Sequence, residues 1–366
     1  VYVIAISKIT HHLSEHLDFS GFLDYTYLFI MIFWGWLNGS LHHDMHGSAG
    51  MRTNLMTLWQ IGIVAALVVT LPSAAAGNLF NTTIAIMAMQ LYITYLWWSV
   101  GIYDKAHRKL NIPYTLCFLA SFVLMFITLC VGASYTRGLF YLTLALNYLP
   151  PFLSYMRLSG NDTSFSLSAS MTERLGLFTI IIFGEVVLGV INGVSELDSL
   201  GFQTWINFAL AILIIFTLWW LFFSAIADRK SKKGFLKSNV MAMAYIPTLM
   251  ALSAIGIAFS HLFYASGNDT SFGIKMMLAI AISVFLLGIV TLTALLEYPV
   301  IVEQIKRNVQ KVLLIPTLLI VAFTAIDLPV SLFVYLSIIL LILLGVMGLI
   351  YRKWFVLEIN RRSKQS

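Results

Sequence analysis

Met171 to Val194 reads MTERLGLFTIIIFGEVVLGVINGV, which places an acid, Glu185, inside a stretch long enough to cross a bilayer. From Leu175 onward the run is one apolar helix at about 1.5 Å per residue, so Glu185 lies about 15 Å along a span of about 30 Å, near the membrane midplane. A carboxylate at that depth persists only if it is protonated, paired or facing a water-filled cavity. It is therefore a candidate proton, cation or substrate site. The competing structural reading is a protonated Glu hydrogen-bonded to a neighbouring helix as a clamp. Glu173 and Arg174, where the helix enters the bilayer, are read either as charges that gate Glu185 or as an interfacial anchor.

A second group lies near the start of the chain, where Lys8, His11, His12, Glu15 and His16 follow one another within a single predicted helix. Lys8 with His12 and Glu15, and His11 with Glu15, have the spacing that puts side chains on neighbouring faces of a helix. Histidine changes charge in the physiological range, so Lys8, His11 and His12 could form a proton relay, or the group could simply sit in interfacial water. His12-Leu13-Ser14-Glu15-His16 also has the H-x-x-E-H form of an inverted zinc-protease motif, two imidazoles and a carboxylate for one metal. Five residues make a weak pattern, and a catalytic zinc needs a third ligand. His42, His43 and His46, with Asp44, form another cluster and make His42 and His46 weak metal candidates. Helix 1 runs outward and helix 2 returns, so the two histidine groups are expected on opposite faces, where one metal cannot bind both.

The elements that must position these residues are membrane helices. The 366 residues are 60% hydrophobic and only 10% charged, with a mean hydropathy of +0.89, which excludes an ordinary soluble domain. Apolar runs predict an all-α polytopic membrane protein with about twelve crossings, near residues 1–17, 22–42, 55–76, 82–103, 112–133, 138–156, 175–194, 203–227, 239–264, 272–296, 309–326 and 329–353. With that count, 19 of the 22 Lys and Arg fall in even-numbered loops or the C-terminal tail, Arg137 and Lys275 fall in odd-numbered loops, and Lys8 lies within helix 1. The positive-inside rule then makes both termini cytoplasmic. The net charge of +6 therefore speaks to orientation in a lipid bilayer, not to nucleic acid. Cys117 and Cys130 lie about 20 Å apart along one helix and cannot bridge each other.

Self-comparison suggests a repeat. Arg52-Thr53-Asn54-Leu55-Met56 resembles Lys237-Ser238-Asn239-Val240-Met241, and the polar stretch after helix 1 resembles that after helix 7, both about 180 to 185 positions apart. The expected organisation is two parallel six-helix repeats, residues 1–157 and 175–353, joined by a cytoplasmic connection at 158–174 and followed by a basic tail at 354–366. Convergent loop chemistry is the competing explanation. SGNDTSF occurs identically at Ser159 to Phe165 and Ser266 to Phe272 and does not fit the repeat. Pro113 and Pro329 fall at expected helix starts, whereas Pro150-Pro151, Pro247 and Pro316 are expected to interrupt helices. Gln90, Asn147, His261 and Glu297 are further polar residues in or near spans, the first two easily satisfied by interhelical hydrogen bonds.

ERLGLFTIIIFGEVVLGV resembles the signature of the bacterial low temperature requirement A family, whose members carry Glu-Arg, Gly-Leu-Phe and Gly-Glu in this order. IAISKITHHLSEHLDFSGFL at Ile4 to Leu23 and TLWWLFFSAIADR at Thr217 to Arg229 are similar to the family's first helix and loop and to the end of its eighth. An acidic-aromatic run ending in Phe-Asp-Leu, which family members carry before the position of Val1, is missing, so the chain is expected to start inside helix 1. The resemblance implies a multi-pass protein of the bacterial cytoplasmic membrane; its name describes a phenotype, not a reaction. Twelve helices, a repeat, broken helices and a midplane acid together point to a secondary transporter or permease of a small solute, coupled to protons or cations through Glu185. An intramembrane enzyme acting on lipid or through metal, and a membrane sensor or assembly factor, are the alternatives. The sequence has no glycine-rich phosphate loop, nucleophile elbow or haem pattern, so no cofactor is expected, and neither the solute nor the oligomeric state is specified.

Overall fold

Each apolar run is helical. The computed structural model describes residues 1–47, 50–75, 79–103, 108–131, 133–157, 167–197, 200–227, 229–264, 272–298 and 300–362, and among them are thirteen helices and no strand. Among the described residues eight helices are long and apolar enough to cross a membrane, and Val309–Ala325 is a shorter apolar segment. Helices close their own backbone hydrogen bonds, which is what a chain this apolar needs in lipid. The protein is an all-α polytopic membrane protein. It divides into two compact units, Val1–Arg174 with Lys233–Ala242, and Leu175–Lys232 with Met243–Ser366.

The first unit holds α1 (Tyr2–Glu15), α2 (Phe19–His46), α3 (Met51–Ala75), α4 (Phe80–Tyr103), α5 (Arg108–Cys130), α6 (Ala133–Tyr148) and α7 (Pro150–Arg157). Asp18 caps α2 by accepting from the Gly21 N–H at 2.6 Å, which ends the α1–α2 turn in a few residues. Aromatic side chains fill the centre: Trp34 meets Phe118 edge-on at 5.0 Å, Trp97 stacks on Tyr114 at 4.5 Å, and Tyr27 stacks on Phe140 at 4.6 Å. Two amides inside this packing are paired across helices. Gln90 and Asn147 exchange amide hydrogen bonds, 2.9 Å in each direction, and Gln90 also donates to the Phe118 carbonyl at 3.1 Å. Asn147 stands three residues before Pro150, where the predicted sixth helix divides into α6 and α7. The break expected at Pro150-Pro151 is therefore present, with an interhelical amide pair beside it.

The second unit holds most of α8 (Ala169–Ser195), α9 (Phe202–Ile226), most of α10 (Phe235–Tyr264), α11 (Phe272–Leu295), α12 (Val300–Ala325) and α13 (Leu332–Arg362). Here small residues let backbones meet. A Cβ on Gly193 would lie 2.6 Å from the Ser260 carbonyl oxygen, and one on Gly256 would lie 3.0 Å from Val186 Cα, so α8 and α10 touch main chain to main chain through the Gly189-x-x-x-Gly193 stripe. Phe183, Phe222, Phe223 and Phe285 form one ring cluster with centroids 5.2 to 6.5 Å apart. An isolated antiparallel bridge, Ser231 with Leu296, ties the connections after α9 and α11, and Arg229 covers the Tyr298 ring at 4.9 Å. Burial pushes the Tyr298 phenol up to about 12, against the lowering influence of that guanidinium.

Several expectations about proline and lysine are corrected. Pro247 and Pro316 do not interrupt their helices; α10 and α12 run through them. Each is followed by a threonine whose hydroxyl bonds back into the preceding turn, Thr248 to Ala244 O at 2.7 Å and Thr317 to Leu314 O at 2.6 Å. Serine and threonine hydroxyls of this kind are how membrane helices re-satisfy a backbone loosened by proline. Pro113 lies inside α5 rather than at its start, because the helix begins at Arg108. Lys275 is a buried residue of α11, with its ammonium 5.9 Å over the Tyr335 ring, not a loop residue. Cys117 and Cys130 are both free thiols. Both SGNDTSF segments lie outside the described residues apart from Phe272, the first residue of α11.

Candidate functional site

The first unit contains a cavity of about 560 Å³, and three helices build it with one face each. From α3 come Arg52, Thr53, Met56, Thr57, Gln60 and Ile61; the increments of three and four are one side of a helix. From α4 come Tyr92, Tyr95, Leu96, Ser99, Val100 and Tyr103, again one side. The last turns of α2 give Trp36, Gly39, Ser40, His42, His43 and His46, while Tyr2 enters from α1 and Arg174 from the first turns of α8. The size falls in the range of small-molecule sites.

Specific contacts fix the polar groups of this lining. Gln60 Nε2 donates to the Tyr2 hydroxyl at 2.8 Å, and the Tyr92 hydroxyl donates to Met56 O at 2.9 Å, which ties α1, α3 and α4 together around the space. Gly39 makes room for the amide, since a Cβ there would lie 2.8 Å from Gln60 Oε1. Trp97 Nε1 donates to Asn38 Oδ1 at 3.1 Å behind the wall. Ser168 caps α8 through the Met171 N–H at 2.9 Å, so the helix starts about one and a half turns before Arg174, whose Nη1 donates to Ser40 O at 3.5 Å. Arg52 lies 5.9 Å over the Tyr103 ring. At 4 Å, in an effective dielectric of about 20, a guanidinium would attract a unit negative charge by about 4 kcal/mol before desolvation is counted.

Of the residues singled out from sequence, Arg174, His42 and His46 line this cavity, and His43 joins them. The His42 and His46 rings are 5.6 Å apart, one turn from each other on α2. Glu173 and Arg174 part company: Arg174 is half-buried at the cavity, whereas Glu173 is exposed. Adjacent residues of a helix point about 100° apart, so a charged dipeptide need not act as a pair. Lys8, His11, Glu15 and His16 are exposed and His12 is half-buried, at the far end of α1 from Tyr2. His11 Nε2 lies 3.4 Å from Glu15 Oε1. His12, Glu15 and His16 bring possible ligand atoms within 4.8 Å of one another, the donors of a two-histidine, one-carboxylate set. From His42 back to Phe19 α2 rises about 35 Å, so the two histidine clusters cannot share an ion.

Glu185 belongs to the second unit. It is half-buried on α8, one turn before Gly189, and its carbonyl oxygen would lie 3.4 Å from a Cβ on Gly256. It thus lies on the glycine stripe where α8 and α10 approach most closely. Gln60, Tyr2, Arg52 and Tyr92 are the cavity residues that sequence reading passes over. Their signal was available in α3, where Arg52, Thr53, Thr57 and Gln60 form a polar stripe at helical spacing along an otherwise apolar span.

Comparison with known proteins adds a family and no activity. Residues 1–350 match the model of a family described as Bacterial low temperature requirement A protein (LtrA). No curated protein and no solved structure matches the chain.

Proposed function

We propose that this chain, which belongs to the bacterial low temperature requirement A family, is a secondary transporter or permease that passes a small solute through the bacterial cytoplasmic membrane. The observation that carries the reading is the cavity of about 560 Å³, lined by charged, amide and hydroxyl side chains, in a bundle of otherwise apolar spans. Open polar space of this kind is what a solute route requires and what a purely structural membrane bundle avoids. In this reading α6 and α7 together make one crossing, the chain crosses twelve times as two six-helix repeats, and both termini are cytoplasmic. The solute enters at Arg174. Glu173 biases the entrance, Glu185 binds and releases the coupling proton or cation, and Lys8, His11 and His12 exchange protons with the outer surface.

Proteoliposomes on a solid-supported membrane test the reading. A solute panel is expected to include at least one that evokes current, and Glu185→Gln should abolish that current while its melting temperature and elution profile stay those of the native protein. Unchanged current in Glu185→Gln removes the coupling role, and silence across the whole panel removes transport.

A further inference from the structure

We infer that the cavity bounded by α1 to α4 is a site for a small oxyanion, a carboxylate or phosphate group on a compact body, gripped by Arg52 and Arg174. The inference deepens the transport reading and rests on it for the expectation that a solute enters this space.

Charge carries the inference. Among the described residues two guanidinium groups and three imidazoles line the cavity, and no Asp or Glu does. Among the described residues neither arginine is in an ion pair: Arg174 has the Ser40 carbonyl at 3.5 Å, and Arg52 has the face of Tyr103 at 5.9 Å. A guanidinium offers five N–H donors in a planar fork, so a single long bond to a carbonyl leaves donors for an oxyanion. Carboxylate and phosphate are the groups that fit this fork with two parallel bonds. Two described acids of the same helices stay out of the lining. Glu173 is exposed beside Arg174, and Asp44, on the same helix as the three histidines, contributes nothing to the lining.

The aromatic wall argues against a cationic solute. Tyr and Trp faces can attract an ammonium, but Arg52 already lies over Tyr103, and a second cation there would meet like charge with no carboxylate to offset it. A neutral polyol would not need two arginines in a membrane protein, where each charge is expensive to hold. The Gln60 amide and the Tyr2 hydroxyl, held together at 2.8 Å, leave neutral polar atoms for the body of the ligand. An oxyanion can come from solution or from a lipid headgroup, and both present the same chemistry to Arg52 and Arg174.

The test is calorimetric titration of the full-length protein in phosphatidylcholine nanodiscs with succinate and with inorganic phosphate, alongside putrescine and erythritol. At least one anion is expected to bind, with affinity about tenfold or more weaker in both Arg174→Gln and Arg52→Gln, as for loss of a charge-assisted hydrogen bond, and unchanged in Arg137→Gln, a cation outside the lining. Arg174→Lys, which keeps the charge, should recover part of the loss if the Gln variant has merely lost binding. Phosphatidylglycerol retained by the native protein, released by both Gln variants and competed by inorganic phosphate would identify the headgroup as the source of the same anion. Binding of putrescine or erythritol alone, anion affinity indifferent to both arginines, or no anion or headgroup bound in any disc overturns the inference. Anion binding without any proteoliposome current would keep the site and remove transport. Current for a cation or a polyol without anion binding would do the reverse.

Discussion

Two sets of helix contacts, one in each unit, are made by different means. The first joins helices by side chains that must find a partner: Gln90 with Asn147, Trp97 with Asn38, Gln60 with Tyr2, and the Tyr141 and Tyr148 hydroxyls with carbonyls of α2. The second joins α8 to α10 by removing side chains, with Gly189, Gly193 and Gly256 at the contact, and surrounds them with phenylalanine. Most of the more apolar spans are in the second unit. Lipid is as apolar as leucine, so burial alone cannot pull helices together; specific bonds and close backbone contact are the two remaining means. Directional bonds can hold walls around an open space, whereas main-chain contact closes space altogether. In the first unit such bonds wall the polar cavity, whereas in the second the Glu185 main chain lies beside the close α8–α10 contact.

The largest effect is expected where space is closed. Gly193→Leu drives a side chain into the Ser260 main chain, a form of overpacking that costs about 1–3 kcal/mol or more. Its melting temperature should fall well below that of the native protein, and a native melt would break the contrast. Next comes the amide pair. Gln90→Leu or Asn147→Leu alone leaves a buried amide unpaired, at about 1–3 kcal/mol each, but the double variant should recover much of that loss because both partners become apolar. Additive losses in this double-mutant cycle would mean that the bonds to Phe118 O and Met31 Sδ matter more than the pair. The smallest effect belongs to Arg137 and Asp24, a largely exposed pair at 3.3 Å. Removing it should change stability by about 0–1 kcal/mol, and less as salt is added. A larger, salt-insensitive loss in Arg137→Ala would assign the work to its 2.7 Å bond with Ser20 instead.

Sequence alone determined the helical class, the place of nearly every helix, the family and the break at Pro150. Lipid allows few ways to satisfy a backbone, so an apolar run of about twenty residues has little choice but a helix. The signature around Glu185 was equally legible, because it is contiguous. Pro247 and Pro316 were misread because continuity of a helix depends on how neighbouring hydroxyls and helices treat the loosened turn. Only the tertiary structure decided which stripes face one another. Periodicity shows that Arg52, Thr53, Thr57 and Gln60 share one side of α3, but not that Tyr2, His42, Tyr92 and Arg174 meet them across a cavity. Nor does it show that Arg174 turns toward that space while Glu173 turns away, or that the helix 1 histidines stand at the other end of α1. A helix fixes the relative directions of its own side chains; its rotation about its axis, and therefore what they meet, is set by packing against its neighbours.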